Sequence, residues 1–160
     1  MRYTSDIEPP DQTTRNVAFF IALMATAVAL GGALAHALEL PNKIALPREH
    51  YLIVQHIYDG WNQLAYVLAV QLTALLTLIW LYWRETRVAR FVVLALVALI
   101  AAQIVFWMFT YPANVATGQW TVLPENWQQL RTQWEYSHLA GALFQLLAMT
   151  SLVVAVLRRR

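Results

Sequence analysis

The chain has 160 residues, 59% of them hydrophobic and only 12% charged, with seven tryptophans and no cysteine. Soluble domains carry about a quarter charged residues, so this composition argues against one; the missing cysteines exclude a disulfide scaffold and thiolate-held zinc or iron–sulfur sites. The formal net charge of +2 gathers at segment ends and forms no basic stripe, which excludes nucleic acid as a partner.

Aspartate, glutamate, lysine and arginine are absent from Asn16 to Leu38, Gly60 to Trp83, Phe91 to Pro124 and Tyr136 to Leu157. Each window exceeds the roughly 20 residues that cross a hydrocarbon core of about 30 Å. The expected fold is therefore all-α, a transmembrane four-helix bundle forming a single membrane domain over residues 1–160.

In chain order, Met1 to Arg15 reads as a short polar tail. Span one covers about 17–40 and is expected to stop at Pro41, which cannot donate the next helical hydrogen bond. A cleaved signal peptide, with Ala33-Leu34-Ala35 as a small-residue site, is the weaker reading, because acidic residues precede an apolar run that is long for such a peptide. Span two covers about 56–83 and ends in an aromatic cluster suited to an interface. Span three covers about 91–111 and closes at Pro112; the fourth span covers 136–157, on a helix starting near Pro124. Arg2, Arg15, Arg84, Arg87, Arg90 and Arg158 to Arg160 share one side, against Lys43, Arg48 and Arg131 on the other. The positive-inside rule then puts both termini in the cytoplasm, in an inner (plasma) membrane. Small residues at Ala25, Ala29, Ala33 and Ala37, and at Ser137 and Gly141, suit close helix contacts, and oligomerisation is compatible with them.

The scarce polar residues gather at the outer end. His36, His50, His56 and His138 all fall there, beside Glu39, Asp59 and Glu135. His36 with Glu39, and Glu135 with His138, are three apart and share a helix face. One stripe runs through Gln128, Arg131, Glu135, His138 and Gln145, a second through Gln55, Asp59, Asn62 and Tyr66, and a weaker third through Gln103, Trp107, Thr110 and Asn114. Together they imply an outward-facing polar pocket, and ionisable groups at membrane depth mark a functional site by default.

Two chemistries fit such a pocket. Paired Glu-x-x-His elements suit a transition metal (iron, manganese or zinc) held by His36, Glu39, His56, Glu135 and His138, with Asp59 as a further ligand; haem between His36 and His138 is a variant. The other is metal-free acid–base catalysis by a histidine beside a carboxylate. A structural reading, in which these residues satisfy one another at the membrane surface, stands beside both. Trp61, Trp107, Trp120, Trp127 and Trp134 suit interfacial anchoring, and would also wall a pocket for a flat apolar or quinone-like molecule.

The run His36-Ala37-Leu38-Glu39-Leu40-Pro41-Asn42-Lys43, the segment Tyr111-Pro112-Ala113-Asn114, and the spacing Pro124, Trp127, Arg131, Trp134, Glu135, His138 resemble the DUF1772, or anthrone oxygenase-like, family of small four-span membrane proteins. The resemblance covers roughly Gly31 to Gly141. It implies an oxygenase-like oxidoreductase acting on a small aromatic compound, with Asn114, Trp127, Arg131, Trp134 and His138 lining the site. In that reading His138 is the base, held by Glu135 and assisted by His36, and Arg131 stabilises the oxyanion; the stripe on span two adds Asp59, Asn62 and Tyr66 as substrate-binding candidates. Many members carry a basic residue after the histidine, whereas Leu139-Ala140-Gly141 follow His138 here. The alternative expectation is a non-catalytic membrane subunit that binds haem, metal or an apolar ligand for a partner protein.

Overall fold

The computed structural model describes residues 11–159. Most of the polar tail, including Arg2, and the terminal Arg160 lie outside the described residues. Helix α1 spans Gln12–Lys43, α2 Arg48–Gln55, α3 Leu64–Tyr82, α4 Thr86–Val105, α5 Tyr111–Ala116 and α6 Trp127–Leu157. Two 3₁₀ turns, His56–Tyr58 and Trp61–Gln63, lead into α3, and a π-helical turn, Phe106–Thr110, joins α4 to α5. No strand occurs among the described residues.

Four helices are long and apolar enough to cross a membrane: Gln12–Lys43, Trp61–Tyr82, Thr86–Ala116 and Trp127–Leu157. By length and composition the chain is a multi-pass integral membrane protein. Helix α1 packs on α3 and α6, and α4 packs on α3 and α6, which closes a four-helix ring. Arg159 donates to Asn16 Oδ1 at 3.0 Å and Arg15 pairs with Glu85, so α1, the α3–α4 turn and the end of α6 meet at one end of the bundle. The opposite end carries the two long connections.

The helix boundaries depart from the sequence reading in five places. Helix α1 begins at Gln12, where the Asp11 carboxylate accepts from the Thr14 amide at 2.8 Å. It also passes through Pro41 to Lys43 instead of stopping. Proline sits within the last turn, so a single ladder bond is lost, and the Ile44 amide still donates to Leu40 O at 3.0 Å. Span two does not start as a helix at residue 56: Gly60, at φ 85°, breaks the chain into two short turns, and regular α3 begins at Leu64. Span three continues past Pro112, which follows the π turn inside the continuous run Thr86–Ala116, so the helix goes on with one ladder bond missing. Helix α6 starts at Trp127, three residues beyond Pro124.

Burial divides the interior into two apolar regions. Toward the terminal end Phe19, Leu75, Leu78, Tyr82, Val92 and Leu152 form a sealed core. At the other end Tyr51, Ala113, Trp120, Leu123 and Trp134 form an aromatic cap. Polar side chains occupy the interior between them. Gln71 and Gln145 exchange both amide hydrogen bonds across α3 and α6, at 3.0 and 3.3 Å, and Thr110 and Ser137 meet at 2.7 Å. Interhelical bonds of this kind contribute about 0.6 kcal/mol each in a bilayer.

Candidate functional site

The continuation of α1 through Pro41 delivers a residue that the sequence reading left in a loop. Lys43 is 3% exposed and points into the bundle. Its Nζ lies 3.2 Å from Glu135 Oε1 and 3.8 Å from Glu39 Oε2, and donates to the Tyr58 hydroxyl at 2.6 Å. Tyr58 in turn donates to Glu39. On the other side Gln55 Nε2 donates to the Tyr51 hydroxyl at 2.6 Å, and Tyr51 donates to Glu135 Oε1 at 2.9 Å. One hydrogen-bonded network therefore runs from α2 through α6 and α1 to the turn before α3, with one ammonium between two carboxylates. The rings of Tyr58 and Trp134 face the ammonium at 4.3 and 4.5 Å, so cation–π attraction adds to the pairing.

Beside this network the two histidines stack. The His36 and His138 ring centroids are 4.0 Å apart with planes 16° from parallel. Tyr58 covers the His36 ring at 4.3 Å, while Trp61 and Trp134 meet it edge-on at 5.1 Å. Gly32, one turn before His36, is the reason α3 comes this close: a Cβ there would stand 3.0 Å from Leu64 Cδ1. Gly141, one turn from His138, has open space where a Cβ would be. His138 and the next three residues are all only half-buried, so α6 is not sealed at this level. His36 Nδ1 and Glu135 Oε2 are buried with no hydrogen-bond partner among the described residues.

Asn114 is the organising polar residue of the cap. Its Oδ1 accepts from Trp134 Nε1 at 2.8 Å and from Trp120 Nε1 at 3.0 Å. Trp120 takes a left-handed backbone, φ 63°, which a bulky residue adopts only when its surroundings hold it. The bond to Asn114 and the bond from its amide to Thr117 Oγ1, 3.1 Å, do so. The Tyr51 and Tyr58 phenols lie outside the membrane-crossing helices. Burial and the charge of Glu135 hold the Tyr51 hydroxyl far above the ordinary tyrosine value; burial and the bond to Glu39 raise Tyr58 likewise.

Several expected partners separate. Neither histidine bonds the carboxylate three residues away: Glu135 turns to Lys43 and Tyr51, and Glu39 to Tyr58. Arg131 donates to Leu46 O at 2.8 Å and lies over the Trp127 ring, 4.6 Å away, so both brace the first connection. His56 is exposed and, among the described residues, pairs with Asp59 alone, at 3.4 Å. Asn62 and Tyr66 are exposed as well, because the break at Gly60 destroys the helical spacing that had grouped them with Gln55. Sequence reasoning missed Lys43, Tyr51, Tyr58 and Gln71; the one signal for Lys43 was a lysine two residues after a helix-terminal proline.

This geometry does not fit the metal or haem readings. No three His, Cys, Asp or Glu side chains converge among the described residues. The Lys43 ammonium already stands between Glu39 and Glu135, where an ion bound by both would sit. Haem ligation needs ring nitrogens aimed at an iron across a macrocycle, whereas His36 and His138 lie face to face at 4.0 Å. No family model, curated protein or solved structure matches the chain.

Proposed function

We propose that the site binds a small, flat aromatic or quinone-like compound and removes a proton from it, as the first step of an oxygen-dependent oxidation. The observation that carries this reading is the stacked His36–His138 pair, walled by Tyr58, Trp61 and Trp134 beside the buried Lys43 cation. A neutral imidazole is a proton acceptor. A fixed ammonium stabilises the oxyanion that forms. Lys43 takes the role that the sequence reading gave to Arg131, and His138 is the base, with His36 stacked behind it. The resemblance to anthrone oxygenase-like proteins agrees with this chemistry, and anthrone is its natural probe. Loss of the acidic ring proton to His138 gives an electron-rich anion. Dioxygen takes up its electrons and forms a carbon–oxygen bond, and the peroxide eliminates water as the proton returns, so anthrone and O₂ yield anthraquinone and H₂O. We place the site on the outer face of an inner (plasma) membrane, with both termini cytoplasmic, on the strength of the arginine distribution.

The test is oxygen uptake and anthraquinone absorbance with anthrone and the detergent-purified protein. The expected result is stoichiometric turnover that falls about 100-fold or more in His138→Ala and in Lys43→Met. Absence of turnover above the solution rate overturns the reading and leaves the alternative, a non-catalytic subunit that binds an apolar ligand for a partner.

A further inference from the structure

Gln103 belongs to the third polar stripe of the sequence, yet it does not face the site. The π-helical turn Phe106–Thr110 adds a residue to one turn of the helix and rotates everything after it. Thr110 and Asn114 therefore face inward, to Ser137 and to the two tryptophans. Gln103 and Trp107 are left on the outside of the bundle, in a groove of about 550 Å³ between α3 and α4. Leu68, Leu72, Ile100, Gln103, Trp107 and Met108 line it. The Gln103 side chain makes no hydrogen bond with the described residues, although it lies near the middle of the 31-residue helical run Thr86–Ala116. An amide in hydrocarbon is costly until it finds a partner.

A second groove, of about 580 Å³ between α1 and α3, makes an instructive contrast. The hydroxyls of Thr73 and Thr77 in its wall already donate to carbonyls of their own helix. Lipid chains satisfy such a surface at mid-span, and the other two hydroxyls of its wall, Thr13 and Thr14, sit in the first turn of α1 at the helix end, where water and headgroups reach.

We propose that the α3–α4 groove is a lipid-side binding site for a flat ring compound bearing a carbonyl, with the Gln103 amide as donor and Trp107 as stacking wall. Concave grooves that are mostly apolar, with an aromatic face and few polar groups, suit such ligands. A second copy of the chain is the poorer occupant, because membrane helix dimers meet through small residues and this groove is walled by leucine, isoleucine, methionine and tryptophan. The site deepens the reading above by giving a membrane-dissolved compound a place to dock from the bilayer, and it is tested by binding, without turnover.

The probe is 2-methyl-1,4-naphthoquinone, titrated into wild-type protein in phosphatidylcholine vesicles and followed by tryptophan quenching. Quenching is expected to saturate and to lose its largest component in Trp107→Phe. The apparent dissociation constant is expected to rise about fivefold in Gln103→Leu, the equivalent of one hydrogen bond, and to stay unchanged in Thr73→Val in the other groove. Gln103→Leu replaces an amide by an apolar side chain in hydrocarbon, so insertion is favoured and misfolding does not explain weakened binding. Wild-type affinity in Gln103→Leu, non-saturable quenching, or unchanged quenching in Trp107→Phe each overturns the proposal. So does a dimer that Gln103→Leu dissociates, which would give the amide to a second copy. His138→Ala separates the two ideas: it is expected to lose anthrone turnover and keep saturable quinone quenching, whereas loss of both puts the quinone at the histidines and refutes the groove alone.

Discussion

Replacing Lys43 by methionine removes the only ammonium from a network that holds two carboxylates, while keeping an unbranched side chain of similar length. Glu135 is 1% exposed and Lys43 3%, so water cannot take over the missing contact. Breaking such a buried pair from one side costs about 3–5 kcal/mol. Glu135→Gln is milder, at about 1–3 kcal/mol, because the amide still accepts from Tyr51, and Lys43 keeps Tyr58 and Glu39. The double variant leaves Lys43 and Glu135 both uncharged and is expected within about 2 kcal/mol of wild type, since exchanging a whole buried pair for neutral groups is nearly free. The single costs therefore exceed the double cost by at least about 2 kcal/mol, a coupling that a double-mutant cycle resolves. Unfolding in mixed micelles of rising dodecyl sulfate content, followed by tryptophan fluorescence, gives all four stabilities. Strictly additive costs, or a Lys43→Met variant within about 0.5 kcal/mol of wild type as for a surface substitution, would refute the buried-pair argument.

Three further outcomes are expected. Asn114→Ala strips the acceptor from both Trp120 and Trp134; it should cost about 1–3 kcal/mol and shift indole ring-hydrogen resonances of those two tryptophans in an NMR spectrum, with unchanged indole signals counting against it. At high pH the raised folded-state values of Tyr51 and Tyr58 mean that their stabilisation is complete below the ordinary tyrosine value, 10.0, and is lost as pH climbs toward the folded values. Stability should thus fall above about pH 10, less steeply in Tyr51→Phe than in wild type, and an equal slope in the variant would contradict the assignment. Prolonged dialysis against a chelator should leave the unfolding midpoint unchanged, because Lys43 supplies the cation of the site; a stoichiometric transition metal whose removal lowers the midpoint would overturn this.

The four apolar spans were legible because a charge-free apolar window longer than about 20 residues matches the thickness of a bilayer core and is rare in chains that do not cross one. The stripe on α6 was legible for a related reason: the helix is regular from Trp127 to Leu157, so spacing maps faithfully onto faces. Asn114 and Trp134, singled out by the resemblance, do meet. Legibility ended wherever the backbone departed from regular α-helix. Gly60 dissolved the Asp59–Asn62–Tyr66 stripe, and the π turn split Gln103 and Trp107 from Thr110 and Asn114. Periodicity arguments assume a constant rotation per residue and fail at such points. Lys43 was hidden because Pro41 signals a stop, whereas a proline in the final turn costs one hydrogen bond and leaves the next residues helical. The carboxylates were paired with histidines on spacing alone; with a lysine and two tyrosines within reach, the charge-assisted and phenolic bonds prevailed.

The central claim is that the α1 lysine, seated beside the stacked histidines, is the cation that neutralises Glu135. Solid-state NMR dipolar recoupling between ¹⁵N-labelled Lys43 Nζ and the ¹³C-labelled Glu135 side-chain carboxyl, in lipid bilayers at neutral pH, reads that contact directly. Strong dephasing is predicted, falling under the same glutamate labelling in Glu135→Gln to the weaker contribution of Glu39, whose Oε2 lies 3.8 Å from Nζ. A Lys43 ammonium that shows no dephasing and exchanges freely with water would contradict it.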